Sequence, residues 1–218
     1  TKLFGEKYQV SDKAIILLSG GLDSSTVLAI AKAEGYDCYA MTINYQQRHN
    51  AELKAAKKIA KFFKVQDFKV VNIDLSWLKS SALTNKDIDI PERASSGIPV
   101  TYVPARNTIM LTLALAWAET INSQNIFIGV NAVDYSGYPD CRPDYIKSFQ
   151  NMANLATKAA VEGSKIKIHT PLIEMTKAEI IHEGIRNKVD YKMTVSCYQL
   201  TDNGLACGRC DSCRLRKE

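Results

Sequence analysis

Short apolar runs recur along the chain and are separated by segments with helical periodicity. Residues 14–18 are continuously apolar, which is typical of a strand buried on both faces. Further apolar runs predict strands at residues 38–43, 69–73, 126–130 and 165–169. The pattern therefore predicts a sheet of these strands joined by long connections.

The connections carry helical patterns. Apolar residues keep helical spacing at residues 25–34, from after Asn50 to about Phe63, and at residues 107–122 and 144–162. Asp23 and Ser24 are suitable N-cap residues for the first helix, and Gly35 lies where it should end. Thr176 and Glu179 form a capping-box pattern that predicts one more helix.

This alternation predicts an α/β fold with a parallel sheet and right-handed crossovers. The chain has 218 residues, which suits one domain over residues 1–218 with a C-terminal segment at residues 190–218. Residues 84–102 and 131–143 lack periodicity and predict two long loops. Long loops in compact domains are often functional.

Composition and charge exclude several classes of protein. With 46% hydrophobic and 23% charged residues the chain is not disordered. The net charge of +5 is scattered, and the lysines at residues 54–64 suit a solvated helix face better than a nucleic-acid surface. No apolar run approaches 18 residues and no secretory segment is recognisable, so we expect a cytoplasmic protein without membrane contact.

The turn after the first strand has the features of a phosphate-binding loop. Glycines allow close backbone approach to an anion, and the following helix directs free N–H groups and its positive dipole end toward it. Asp23 would repel a phosphate unless a bound Mg²⁺ bridged the two. The spacing is not that of a Walker A loop. The residues predicted to hold the nucleotide here are Ser19, Gly20, Gly21, Leu22, Asp23, Ser24 and Ser25.

Four cysteines cluster near the C-terminus: Cys197, Cys207, Cys210 and Cys213. Clustered cysteines without a secretory signal indicate metal binding rather than disulfides. Four thiolates suit a closed structural Zn²⁺ site. An iron–sulfur cluster remains the alternative, since the same ligands serve both.

The run Ser-Gly-Gly-Leu-Asp-Ser at residues 19–24 resembles the signature of the PP-loop ATP pyrophosphatases. That resemblance implies an adenine-nucleotide alpha-hydrolase-like fold, a doubly wound parallel five-stranded sheet with strand order 3-2-1-4-5. It also implies that a substrate oxygen attacks the α-phosphorus of ATP, so that pyrophosphate leaves and an adenylated substrate remains.

Further segments, together with the cysteine cluster, resemble the 7-cyano-7-deazaguanine synthases of queuosine biosynthesis. These segments are residues 44–49 with Glu52, residues 104–107 and residues 129–142. The resemblance implies a ligase that uses ATP and ammonia to convert 7-carboxy-7-deazaguanine to the nitrile, working as a homodimer. The run at residues 44–49 departs from the family pattern at Gln47, and the chain stops soon after Cys213.

The residue types suit such a substrate. Asn131, Asp134 and Asp140 can pair along the edge of a deazaguanine, and Tyr135 or Tyr138 can stack on its face. Arg106 or Arg142 can hold a carboxylate through two hydrogen bonds. A polar turn without a ligand is the alternative interpretation of this loop.

The resemblance also implies nucleotide contacts. Lys177 would bind the phosphates of ATP, and Thr42 and Asn44 would lie near the adenine, with Arg48 as a further nucleotide or acid–base group beside His49. The predicted catalytic residues are Asp23, Lys177 and Arg106. A PP-loop tRNA thiolase and a non-catalytic nucleotide-binding module remain as alternatives.

Overall fold

The first two strands of the sheet along the chain are largely buried on both faces. The computed structural model describes residues 12–46, 50–91, 97–133, 137–201 and 203–217. In the first strand, β1, Lys13–Leu17, every residue after Lys13 is buried, as the apolar run predicts. The other strands are β2 Asp37–Asn44, β3 Asp67–Asn72, β4 Asn125–Phe127 and β5 Lys167–His169.

All neighbouring strands pair in parallel, in the order β3-β2-β1-β4-β5. This confirms the predicted doubly wound α/β fold and its strand order. The winding reverses between β1 and β4. In open α/β sheets a crevice for ligands forms outside the carboxyl ends of the strands at this point.

Helices cover both faces of the sheet. They are α1 Leu22–Ala33, α2 Ala51–Phe62, α3 Arg106–Thr120, α4 Pro143–Ala156, α5 Lys158–Val161, α6 Lys177–Arg186 and α7 Asp211–Lys217. Short 3₁₀ turns lie at Pro139–Cys141 and Tyr191–Met193. Among the described residues, no helix combines the length and apolarity that a membrane crossing requires.

The hydrophobic core has two layers, one on each face of the sheet. Alternate residues of β1 point to opposite faces, because the side-chain period of a strand is two. Ile15 packs in the layer that contains residues of α3 and α4, and Ile16 packs against residues of α1, α2 and α6. The long segment between β3 and α3, irregular as predicted, adds buried Leu83 and Val103 to the first layer.

Two expectations about helix ends were wrong. Gly21, rather than Asp23 or Ser24, is the N-cap of α1, so both polar residues lie in the first turn. The helix predicted over residues 144–162 breaks at Thr157, which is extended. There the Thr157 hydroxyl donates to the Ala153 carbonyl oxygen at 2.9 Å, and Glu119 accepts from the Ala159 amide at 3.0 Å. These bonds satisfy groups that the helix ends leave without partners.

Helices α1 and α6 approach closely at Gly184. The Tyr191 hydroxyl lies beside it, 2.7 Å from Thr26 Oγ1 of α1, and donates to the Ile180 carbonyl oxygen at 3.1 Å. A Cβ atom at Gly184 would lie 1.8 Å from that hydroxyl oxygen. The capping box of α6 is present as predicted, since Glu179 accepts from the Thr176 amide at 2.7 Å. The start and position of α6 are therefore both fixed.

We expect Gly184→Ala to destabilise the protein. Alanine is the better helix former by about 1 kcal/mol, but overpacking costs about 1–3 kcal/mol, and the Tyr191 hydroxyl that must move is held by two hydrogen bonds. The control is Ile185→Ala, at the exposed neighbour on the same helix. Its free energy of unfolding, measured with denaturant, should differ from that of wild type by about 0.5 kcal/mol or less. A Gly184→Ala midpoint at or above that of wild type would contradict the packing argument.

Candidate functional site

A cavity of about 230 Å³ opens at the carboxyl ends of β1, β2 and β4. Ten of the residues that the sequence predicted for binding or catalysis line it: Ser19, Gly21, Leu22, Asp23, Ser24, Thr42, Arg106, Asn131, Tyr138 and Lys177. Gly20 and Ser25 lie beside it within the same turn. Arg48, Asp134 and Tyr135 fall outside the described residues.

The turn between β1 and α1, residues 19–24, is held in shape by its own hydroxyl groups. Ser24 Oγ accepts from the Ser19 amide at 3.1 Å and lies 2.9 Å from Ser19 Oγ. Ser19 Oγ also accepts from the Gly21 amide at 3.3 Å, and Ser25 Oγ donates to the Gly21 carbonyl oxygen at 2.6 Å. The turn thus directs the N-terminus of α1 into the cavity, as an anion site requires.

The same turn packs directly on α2. Gly20 has φ +85°, and a Cβ atom there would lie 2.3 Å from the Glu52 carbonyl oxygen and 2.6 Å from the Ala56 amide nitrogen. Both contacts are with helix backbone, which cannot yield. Glycine is therefore required at this position for its conformation and for its missing side chain.

Asp23 and Lys177 form an ion pair at the floor of the cavity. Lys177 Nζ donates to Asp23 Oδ1 at 2.7 Å, and the two side chains are only 10% and 24% exposed. Lys177 is the first residue of α6 and Asp23 lies in the first turn of α1, so the pair joins two helices that begin at the same edge of the sheet. Lys177 compensates the charge of the Asp23 carboxylate, for which the sequence had indicated a bound Mg²⁺.

Arg106 occupies the other end of the cavity, at the start of α3. Its guanidinium hydrogen-bonds the buried Tyr45 side chain. Burial alone would lower the pKa of Arg106, but nearby Tyr45, Tyr138 and Tyr198 outweigh it and raise the pKa, so this side chain stays cationic. Tyr138 is itself fixed, with its hydroxyl 2.7 Å from Thr101 Oγ1.

Several predicted site residues have protein partners instead of facing open space. The Asp140 carboxylate accepts from the Asn107 amide at 3.1 Å, and Asn44 donates to Asn72 Oδ1 at 2.9 Å; neither residue lines the cavity. Arg142 is exposed at the N-cap of α4 and also lies outside the lining.

Asn131 lines the cavity while its side-chain amide donates to the Leu172 and Met175 carbonyl oxygens at 2.9 and 2.5 Å. Asp140 and Asn131 thus brace α3 and the start of α6.

Sequence reasoning gave no role to Glu52, which lines the cavity from the first turn of α2. Desolvation raises the pKa of Glu52 to about 7, although the positive charge of Arg106 opposes the shift. The position of Glu52 in the sequence could have indicated this role. Glu52 lies in the first turn of the helix that follows β2, and ligand-binding residues gather at the carboxyl ends of parallel strands.

The C-terminal segment also reaches this cavity, which no sequence signal indicated. The Val195 amide donates to the Gly20 carbonyl oxygen at 2.9 Å, and Ser196 Oγ accepts from the Leu22 amide at 3.1 Å. From α7, Arg216 lines the cavity and donates to the Tyr191 carbonyl oxygen at 2.6 Å. Val195 and Ser196, which precede the first cysteine of the cluster, therefore hydrogen-bond the candidate phosphate loop.

The four cysteines lie together, with all their sulfur atoms within 4.8 Å of one another, and could hold a metal ion. Four thiolates around Zn²⁺ at about 2.3 Å place the sulfurs roughly 3.8 Å apart, and the Cys207 and Cys213 sulfurs are 3.9 Å apart. Backbone amides donate to the sulfurs, from Cys207 to Cys197 at 3.3 Å and from Cys210 to Cys207 at 3.4 Å. This donor set fits a structural metal.

Known proteins resemble this chain over most of its length. The family model of queuosine biosynthesis protein QueC matches residues 13–218. A 7-cyano-7-deazaguanine synthase from Cellvibrio japonicus is 61% identical over 206 residues, covering 94% of this chain and 92% of that protein.

Solved structures are similar at the level of the fold alone. NMN synthetase from Francisella tularensis has a TM-score of 0.54 at 16% identity, covering 94% of this chain and 71% of that chain. A 4-thiouridine synthetase, in an RNA complex with bound ATP, has a TM-score of 0.52 at 17% identity, covering 94% of this chain and 49% of that chain.

We expect Gly20→Ala to abolish nucleotide binding, because its Cβ would displace the turn from the α2 backbone. Gly35→Ala is the matched control, since Gly35 has φ +89° but no atom within 4 Å of an added Cβ. Both variants carry the strain of a left-handed residue, about 1–2 kcal/mol. Calorimetric titration with an ATP analogue should show binding only in the control. Equal affinity in the two variants would refute the steric requirement.

Proposed function

The chain belongs to the family of queuosine biosynthesis protein QueC, and we propose that it is an ATP-dependent ligase that makes 7-cyano-7-deazaguanine from 7-carboxy-7-deazaguanine and ammonia. The identity of 61% to a protein named 7-cyano-7-deazaguanine synthase supports this activity. The observation that carries the mechanism is one cavity that holds both the Asp23–Lys177 pair and Arg106.

ATP binds with its phosphates at the N-terminus of α1. Amides and hydroxyl groups of residues 19–25 receive the phosphate oxygens, as the loop geometry and the helix dipole favour. Lys177, already directed at the loop by Asp23, supplies positive charge to the leaving pyrophosphate. Thr42, buried on β2, lines the cavity near the adenine. Arg48 and Asn44 remain nucleotide contacts by family resemblance only.

The Asp23 carboxylate is the group that would hold Mg²⁺ beside the phosphates. A hard oxygen ligand next to a polyphosphate fits that ion. When bound, Mg²⁺ supplies neutralising charge as the bond to the α-phosphorus changes. Asp23 would hold the ion, and Lys177, which lies 2.7 Å from Asp23, would supply a second positive charge to the phosphate oxygens.

The deazaguanine lies at the Arg106 end of the cavity. Arg106 holds the substrate carboxylate, and Tyr138 offers its ring to the base. Asp134 and Tyr135 complete the base contacts by family resemblance, whereas Asn131 and Asp140 act indirectly by fixing the elements around the site. Arg142 is exposed at the N-cap of α4 and lies outside the lining, so Arg106 is the arginine that we propose for the carboxylate.

The bond changes require two adenylations. A carboxylate oxygen attacks the α-phosphorus, pyrophosphate leaves, and ammonia then displaces AMP to give a primary amide. The amide oxygen attacks a second ATP in the same way. Loss of nitrogen-bound protons and of AMP then gives the nitrile. One loop serves both steps because the base stays bound while its side group reacts.

The cysteine cluster holds a structural zinc ion. Its four sulfur ligands leave no open position for a substrate, and it lies behind the residues that support the phosphate loop. We further propose one domain over residues 1–218 that works as a homodimer in the cytoplasm, in accord with the family resemblance.

A PP-loop tRNA thiolase is the nearest alternative. Such an enzyme needs a reactive cysteine at the nucleotide. Cys141 lines the cavity, but burial, with Asp140 adding to it, raises the pKa of its thiol to about 11. A protonated thiol is a weak nucleophile. This observation disfavours sulfur transfer among the described residues of the cavity.

The amide alone, given ATP but no ammonia, should become the nitrile and yield one AMP and one pyrophosphate per turnover. Starting from the acid, two ATP should be consumed per nitrile. Mass analysis of the base with chromatography of the nucleotides measures both ratios. An inert amide, or ADP as the product, would exclude the double-adenylation scheme, and a non-catalytic module would release no pyrophosphate at all.

Elemental analysis should find one zinc per chain. We expect Cys210→Ser to lose the metal and to unfold at a lower temperature, because structural zinc contributes directly to folding free energy. The control is Cys38→Ala, a buried cysteine outside the cluster, which should keep its zinc. Iron in the purified protein, or full zinc content in Cys210→Ser, would refute the assignment.

A further inference from the structure

Glu52 lies where the phosphate loop, α2 and the substrate end of the cavity meet. It is the second residue of α2, its carbonyl oxygen packs over Gly20, and it lines the cavity. Its side chain is partly buried, and the Arg106 charge acts on it. Glu52 therefore belongs to the helical turn that packs on the phosphate loop, and it lines the same cavity as Arg106, the group that we assign to the substrate carboxylate.

The proposed reaction releases protons from nitrogen in both halves. Ammonium must lose a proton before its nitrogen can attack the acyl adenylate. The adenylated amide must lose its nitrogen-bound protons before the third carbon–nitrogen bond is complete. A base within reach of that nitrogen speeds such steps by typically 10²–10⁴-fold.

The described lining residues offer few bases. Their carboxylates are Asp23 and Glu52, and histidine does not occur among them. Asp23 is engaged with Lys177 at 2.7 Å. The Tyr45 phenol, raised in pKa mainly by burial, stays protonated. Glu52 is thus the remaining carboxylate among the described lining residues.

On the basis of the proposed function, we propose that the Glu52 carboxylate is the general base that removes protons from the substrate nitrogen. In the first half it takes a proton from ammonium, and the freed lone pair forms the carbon–nitrogen bond to the acyl adenylate. It then takes a second proton from the new C–NH₃⁺ group, and AMP leaves with the electrons of the carbon–oxygen bond, which gives the neutral amide. In the second half it takes the two nitrogen-bound protons of the adenylated amide in turn; the electron pair left by the second completes the nitrile, and AMP leaves with the electrons of the carbon–oxygen bond. Because Glu52 is partly exposed, each proton passes on to water.

The charges around Glu52 suit a carboxylate that takes up and releases protons. Desolvation raises the pKa of Glu52 to about 7, so the group can both accept and release a proton near neutral pH. The positive charge of Arg106 on α3 opposes this rise in pKa, and Tyr45 is hydrogen-bonded to that arginine. The Asp23–Lys177 pair and Arg216 line the same cavity. Since the base acts when deprotonated, the rate should rise with pH through about 7 and then level off.

The test compares Glu52→Gln with wild type in single-turnover conversion of the amide at saturating ATP. We expect the nitrile to form slower by on the order of 10²–10⁴-fold. The rise of rate with pH should disappear, while affinity for ATP and Mg²⁺ changes by less than about threefold. Glu52→Asp should retain the rise at a reduced rate. Glu34→Gln, an exposed carboxylate at the end of α1, should match wild type.

A Glu52→Gln rate within about threefold of wild type, or an unchanged pH profile, would overturn the assignment. So would a parallel loss of ATP or Mg²⁺ affinity, which would indicate a binding role. If Glu52→Gln does not fold, the pH profile of wild type still tests the assignment. A rate that stays constant between pH 6 and 8 would overturn it. If wild type forms no nitrile from the amide, the proposed function itself fails, whereas normal conversion by Glu52→Gln refutes only the role of Glu52.

Discussion

The backbone of Gly20 approaches α2 so closely that even a methyl group would collide with the Glu52 carbonyl oxygen. This contact sets the distance between β1 and the first turn of α2, and it directs the N-terminus of α1 into the crevice of the sheet. On the other side, Val195 and Ser196 bond to the same turn. A loop held from both sides keeps its shape, and a preorganised shape is the condition for stabilising charge that develops during reaction.

The ion pair of Asp23 and Lys177 gives this rigid loop its electrostatic character. Removing two charges from water is costly, and a buried pair is a poor source of stability compared with apolar packing. Its place beside the turn at residues 19–24 accords with the proposed role of both groups in binding ATP, and each partner orients the other. At the opposite end, Arg106 lies among tyrosines, where we propose that it holds an anionic substrate.

The C-terminal segment links the cysteine cluster, which could hold a metal ion, to the cavity. It begins beside the turn at residues 19–24 and ends in α7, where Arg216 lines the cavity. A segment of this length has little hydrophobic core of its own, so a metal can supply the folding energy that packing does not. We propose that its four sulfurs are structural ligands, whereas Ser196 and Arg216 line the cavity.

Sequence alone determined the features that rest on local rules: the apolar run of β1, the capping box at Thr176, the glycine turn and the cysteine spacing. The strand order followed from the resemblance of that turn to a known family. Only the tertiary structure showed that Asp140 bonds the start of α3, that Ser196 supports Leu22 across 174 residues, and that Glu52 shares a cavity with Arg106. Periodicity and spacing describe neighbours along the chain, whereas these partners meet because parallel strands bring their carboxyl ends to one edge.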